Sequence, residues 1–272
     1  MRSVLAITRI RLRPAAGVAA LLSALASASP TARADDSAPL ARDLADPLSA
    51  SDHLALQLDW DEQLGGFDEG QRRTVTGRSH FAFAPAGGSR VVWRLELPYI
   101  RQQGLPLAGS TDPDASGGGD LSTSFLYVPA ALRGRAFQWG IGLAARLPTA
   151  SRDGLGQEDG ALGPAVAARW AGKRWSSGLQ LLHEQALGGE GTADVTRVQP
   201  FVVRDLGAAW SIGAEADARY DWERHSLKGP LTVYLRRARG TWAFEAGARY
   251  WPDGPTPEPE WGLRIGATWV FE

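Results

Sequence analysis

The sequence predicts an all-β fold: a transmembrane, antiparallel up-and-down β-barrel of about twelve strands, with short periplasmic turns and longer external loops. Three observations carry that prediction. Apolar and polar residues alternate with period two from His53 almost to the C-terminus, in runs longer than the strands of soluble proteins. The connections between runs alternate short and long. Trp and Tyr gather at the ends of the runs, where a bilayer has its two interfaces.

The N-terminus reads as an export signal. Arg2, Arg9, Arg11 and Arg13 precede an apolar stretch from Ala15 to Ala28, and Ala32-Arg33-Ala34 supplies a small-x-small cleavage pattern. The apolar stretch is shorter than the roughly 20 residues of a spanning helix, so residues 1–34 are expected to be removed as a signal peptide. Residues 35–50 (DDSAPLARDLADPLSA) are polar, punctuated by Pro and free of alternation. They read as a periplasmic lead-in that need not be ordered, followed by the barrel over residues 51–272.

Strands are expected near 53–62, 73–84, 90–101, 120–129, 136–147, 162–171, 174–186, 194–205, 208–222, 229–239, 241–251 and 260–271. In the first, Leu54, Leu56, Leu58 and Trp60 alternate with Ala55, Gln57, Asp59 and Asp61. The purest case runs from Trp210 to Trp222: Trp210, Ile212, Ala214, Ala216, Ala218, Tyr220 and Trp222 share one face, opposite Ser211, Gly213, Glu215, Asp217, Arg219 and Asp221. That length suits the roughly 9 to 11 residues of a tilted strand that crosses a bilayer.

Tight connections are expected at 86–89, 130–135, 171–173, 205–207 and 239–240, and longer ones at 65–71, 102–119, 148–161, 188–193, 223–228 and 252–258. Trp93, Trp139, Trp170, Trp175, Trp210, Trp242 and Trp269 then fall on the periplasmic rim. Trp60, Tyr99, Tyr220, Trp222, Tyr250, Trp251 and Trp261 fall on the external rim. A soluble sandwich would place aromatics mid-strand as well.

Composition agrees. With 29 basic and 30 acidic residues there is no electrostatic case for nucleic acid. With no Cys the chain has neither disulfides nor thiolate sites, and 32 Gly with 11 Trp and one Met is unusual for a helical domain. The mean hydropathy of -0.21 is what alternating faces average to.

Several patches resemble a known family. They are Gly119-Asp120-Leu121; Trp139-Gly-Ile-Gly leading to Leu147-Pro148-Thr149-Ala150; a Gly-rich loop through Gly154 and Gly156 to Gly163-Pro164; and Gln199-Pro200-Phe201. In order and spacing they resemble the outer-membrane transporter family of the MetA pathway of phenol degradation, over roughly residues 90 to 271. The chain departs from that pattern at Gln157-Glu158-Asp159-Gly160, where the family has a Lys-Trp pair, and in ending on Glu272 after Phe271. The resemblance implies an outer-membrane channel or transporter for small solutes, with hydrophobic or aromatic compounds as the leading substrate class.

If the aromatic face points outward, the inward positions carry Asp59, Arg78, Arg94, Glu96, Arg146, Arg169, Arg197, Glu215, Asp217, Arg219, Arg236, Glu245, Arg249 and Arg264 as the expected lumen lining. Asp61, His80, Glu184 and Asp221 share that phase. Acids and bases nearly balance, so many should pair across the lumen and leave a constricted polar conduit or a plugged barrel. The alternatives are a lipid-modifying enzyme and a structural barrel with a plugged lumen. The enzyme reading has one anchor, His183, on the outward face without a Ser in matching register. The loop from Asp112 to Asp120 has oxygen ligands at calcium-loop spacing, but position twelve is Thr123 and Pro113 restricts the coil, so no metal ligand is assigned. No catalytic residue and no cofactor is expected. Partners are outer-membrane lipids, a small solute and, during insertion, the barrel assembly machinery, with the outer membrane as the location.

Overall fold

The computed structural model describes residues 42–64, 70–85, 87–104, 112–157, 159–188, 194–252 and 258–271. The expected signal peptide lies outside the described residues. In chain order the strands are β1 (Asp52–Leu64), β2 (Gly70–Phe83), β3 (Arg90–Gln103), β4 (Ala115–Gly118), β5 (Leu121–Val128), β6 (Phe137–Leu147), β7 (Ala161–Ala171) and β8 (Trp175–Ala186). There follow β9 (Val195–Gly207), β10 (Trp210–Ala216), β11 (Ala218–Asp221), β12 (Ser226–Lys228), β13 (Leu231–Arg239), β14 (Trp242–Tyr250) and β15 (Trp261–Phe271).

These form one antiparallel sheet that closes on itself, because β15 pairs with β1 from Asp52↔Phe271 to Glu62↔Trp261. β10 and β11 are one stave interrupted at Asp217, β12 and β13 are one interrupted at Gly229 and Pro230, and β4 is a loop segment added to the edge of β3. Twelve staves remain, each within a few residues of its expected range. Two segments expected as loop are strand: Ala115–Gly118 pairs with the upper part of β3, and Ser226–Lys228 pairs with β11. Both lie beside long staves whose free edges offer backbone donors and acceptors.

Closure matters in a membrane, since a closed sheet lets the backbone N–H and C=O groups of its wall pair with one another and leaves no long free edge. The outer surface is apolar. Leu56, Leu97, Ile141, Leu143 and Val233 are exposed mid-strand, and they would be costly in water. Exposed Trp60, Tyr99, Trp222 and Tyr250 ring the long-loop end, and Trp139, Trp170, Trp175, Trp242 and Trp269 ring the short-turn end. The chain therefore spans a bilayer with strands. Trp251 departs from its expected place on the outer rim: it is 5% exposed, with the Arg249 guanidinium 4.8 Å from its ring centroid. The next residue after the outward Tyr250 falls on the opposite face, so the alternation that turns Tyr250 out turns Trp251 in.

Candidate functional site

The inner face of the barrel is a set of charged clusters. Arg264 forms a two-pronged pair with Asp59 at 2.7 and 3.0 Å and reaches Glu215 at 2.6 Å. Arg249 lies 2.5 Å from Asp59 and 3.1 Å from Asp61. Arg236 binds Glu245 at 2.6 Å, and Gln57 donates to the same carboxylate at 2.8 Å. These groups come from β1, β10, β13, β14 and β15.

A second cluster joins distant parts of the wall. Arg197 on β9 binds Asp217 at 2.5 Å and Glu96 on β3 at 3.2 Å, and Glu96 also meets Arg78 on β2 at 3.3 Å. Arg94 donates to Gln180. Where these side chains converge, a cavity of about 30 Å³ remains among Arg94, Glu96, Gln180 and Arg197. That is room for about one or two water molecules.

A third cluster gathers three of the family-like patches. Asp120 is buried and meets Arg146 at 3.3 Å, while Arg146 also binds Glu184 at 3.1 Å. The same Asp120 carboxylate accepts the N–H of Ala150 at 3.2 Å and of Gln157 at 2.7 Å. Gly156 packs on it so closely that a Cβ would lie 2.3 Å from Oδ1. Asp120, Leu147 to Ala150 and Gly156 thus form one structure, a loop pinned onto the start of β5.

Arg169 turns to the N-terminal segment, binding Asp46 at 3.1 Å and Gln138 at 3.3 Å. Arg219 lies opposite Arg197 and opposite Lys228 in register, so all three share the inner face. Neither Arg219 nor Lys228 makes an ion pair with the described residues. Asp221 bonds to Arg224 within its own turn at 2.8 Å and joins no cross-lumen cluster.

The segment 42–50, expected as a lead-in with no need of order, is packed across the lumen at the short-turn end. Leu48 is fully buried among Val92, Leu126, Val128, Ala144, Ala165, Ala167 and Leu182, all on inner faces. Leu44 packs on Ala209, Ala238 and Ala243, and Ala45 on Phe201, Val203 and Tyr234, so the segment touches both sides of the barrel. Polar anchors surround these contacts. Arg90 donates to Leu48 O at 2.6 Å, His80 bonds Ser49 O at 3.0 Å, and Arg42 donates to Gly172 O at 3.1 Å. His80 in turn stacks on His53 at 4.6 Å. Burial pushes the Asp46 carboxyl up to about 6, against the opposing pull of the Arg169 guanidinium.

Sequence reasoning placed neither this segment nor Gln57, Gln138 and Gln180 in the lumen, and it met Asp120 only as part of a family-like patch and of the loop with calcium-like spacing. Uncharged glutamines do not stand out in an alternating pattern, and a segment without alternation has no face to read. On the outer wall, His183 Nδ1 lies 2.9 Å from Thr196 Oγ1, which also accepts the Trp222 indole N–H at 2.8 Å. A hydroxyl does stand in register with His183, therefore, but it belongs to Thr. No carboxylate or amide orients the ring from its other side among the described residues. In the loop with calcium-like spacing, Asp112 accepts Asp114 N–H at 3.0 Å and Asp114 accepts Gly104 N–H at 3.2 Å.

With this geometry in hand, comparison places the fold among outer-membrane β-barrels. An outer membrane channel from Pseudomonas putida F1 superposes with a TM-score of 0.61 at 13% identity, covering 83% of this chain and 97% of that one. The NanC porin superposes with a TM-score of 0.53 at 12% identity, covering 80% of this chain and 100% of that one. Outer membrane phospholipase A from Escherichia coli reaches 0.50 at 9% identity, over 80% of this chain and 89% of that one. No family model and no curated protein matches the sequence.

Proposed function

We propose that the chain is an outer-membrane channel for small solutes, described here in a closed conformation, with segment 42–50 at the periplasmic end and the long loops outside. The observation that carries this reading is the nature of the closure. The short-turn end is crossed by a short piece of chain held by Leu48, Leu44 and Ala45, one ion pair and a few hydrogen bonds, whereas the wall around it is a hydrogen-bonded ladder. A barrel built only as a structural element would gain more from an apolar filling than from clusters of desolvated ions.

The resemblance to the MetA-pathway family suggests hydrophobic or aromatic solutes. The charged inner face supports polar or amphiphilic ones for the axial route. The lumen-lining residues named from the sequence belong to this proposal, as does recognition of the closing strand by the assembly machinery through outward Trp269 and Phe271. A lipid hydrolase is the second reading, favoured only by the pair of His183 and Thr196; it lacks a group to orient the imidazole.

Planar-bilayer recording tests the channel. Wild type should open rarely. Leu48→Asp, which puts a charge where an apolar side chain is fully buried, should raise the open probability about tenfold or more, since the burial it forfeits is worth roughly 1.5–3 kcal/mol. Silence from a variant that still migrates faster unboiled than boiled would leave a plugged structural barrel.

A further inference from the structure

One stretch of the lumen keeps hydrogen-bond donors without acceptors. On β3 and β5 the inward residues Val92 and Leu126 belong to the apolar cluster that buries Leu48. Two residues further from the short turns, on the same inner face, stand Arg94 and Ser124, opposite each other in register. Gln180 of β8 meets them from across the lumen, where its Oε1 accepts from Arg94 Nη1. The cavity of about 30 Å³ that these three side chains help to line thus sits one inward residue further along the barrel than the Leu48 contacts.

What the lining offers is one-sided. Gln180 is 2% exposed, and its Nε2 has no acceptor among the described residues. The Arg94 guanidinium bonds to Gln180 alone and has no ion pair among the described residues, which leaves it with N–H groups to spare. Ser124 is 4% exposed and adds a hydroxyl. The acids at the cavity are already taken: Glu96 binds Arg78 and Arg197, and Glu184 binds Arg146. Buried donors without acceptors are costly, and a buried charge without a partner more so. The group that suits this place is therefore an acceptor that carries negative charge.

We infer that the cavity is a binding site for the carboxylate of a small monocarboxylic acid in transit along the lumen. The inference rests on the channel reading and names the solute class for it. One carboxylate oxygen accepts from Arg94, and the other accepts from Gln180 Nε2 and the Ser124 hydroxyl, so that charge-assisted bonds fill the vacant donors. Size fits, since room for about one or two waters is room for the two oxygens of a carboxylate, with the body of the acid lying along the lumen. Charge fits as well. A single unpaired arginine balances a single negative charge, whereas the second charge of a phosphate or sulfate would face Glu96 and Glu184.

The test uses the full chain refolded into phosphatidylcholine liposomes, with propionate as the probe and binding read by saturation-transfer difference NMR, which needs no current. Transfer from the barrel to propionate should saturate with concentration, and propionamide, its neutral isostere, should show little. Gln180→Glu sets a carboxylate of the chain's own against Arg94 and should weaken propionate binding by about tenfold or more. Ser124→Ala, expected to weaken it by about threefold, takes its place if Gln180→Glu loses the fast unboiled migration of a folded barrel. In planar bilayers propionate should reduce the chloride current of Leu48→Asp, and adding Gln180→Glu should relieve that block. Propionate binding that is absent, no stronger than that of propionamide, or unchanged in the variants overturns the site. Conductance judges the channel separately: no binding while Leu48→Asp still conducts chloride sinks the site alone, and binding with a folded but silent Leu48→Asp sinks the channel reading alone.

Discussion

At the scale of single residues, the lumen is held by arginines that each serve more than one carboxylate. Arg264 is the clearest, 4% exposed and bound to Asp59 and Glu215. Removing it leaves Glu215 without its ion-pair partner and Asp59 with Arg249 alone, and breaking a buried pair in this way costs about 3–5 kcal/mol. Arg264→Met is expected to lose about that much in denaturant unfolding from liposomes, and Arg264→Met with Asp59→Leu to regain part of it; a double variant as weak as the single would mean that the charges are not coupled. Asp46 makes a second case. Its carboxyl is pushed up to about 6 from 3.8, so the docked segment favours the protonated acid. Docking is then strongest below pH 3.8 and weakens as pH rises through about 6, with no further change above. Arg169 of β7, Arg90 of β3 and Asp43 face this carboxyl, and His53 and His80 lie beside Ser49. Open probability in bilayers should therefore climb between pH 4 and pH 6, and Asp46→Asn should flatten that climb while the histidines keep whatever dependence is theirs. An unchanged slope in Asp46→Asn would clear Asp46 of the role.

At the scale of elements, what could be read in advance follows from what a lipid-facing wall demands. A strand such as Trp210 to Trp222 must show apolar residues at every second position, so its span and both its faces are legible. The break in that stave at Asp217 is not, because alternation passes through it undisturbed and the cause lies in the opposing Gly229. The inward phase of Arg197, Glu96 and Arg264 follows from the same period, yet their pairing does not: Glu96 and Arg197 are 101 positions apart and meet only because the barrel closes. Segment 42–50 stayed illegible for the opposite reason. Its side chains point outward to every wall around it, Leu44 to one side and Leu48 to the other, so it has no period to detect.

At the scale of the whole molecule, pairing leaves a surplus of positive charge on the inner face. Among the described residues the Arg94 side chain bonds to Gln180 alone, and Arg219 stands in register between Arg197 and Lys228, while Glu96, Glu215 and Asp217 already bind arginines. Cations lining a narrow, low-dielectric passage attract anions and repel cations of the electrolyte. The opened Leu48→Asp barrel is therefore expected to favour chloride over potassium in a salt gradient. Arg94→Gln and Arg219→Gln should each shift the reversal potential toward neutrality, with the sign kept and the size reduced. Ionic strength offers a further check, since the screening length falls from about 10 Å at 0.1 M to about 3 Å at 1 M. A preference set by these fixed charges must shrink over that range, whereas one set by the width of the passage would persist, and a cation preference at any salt would mean that ions pass the acids of the lumen rather than Arg94 and Arg219.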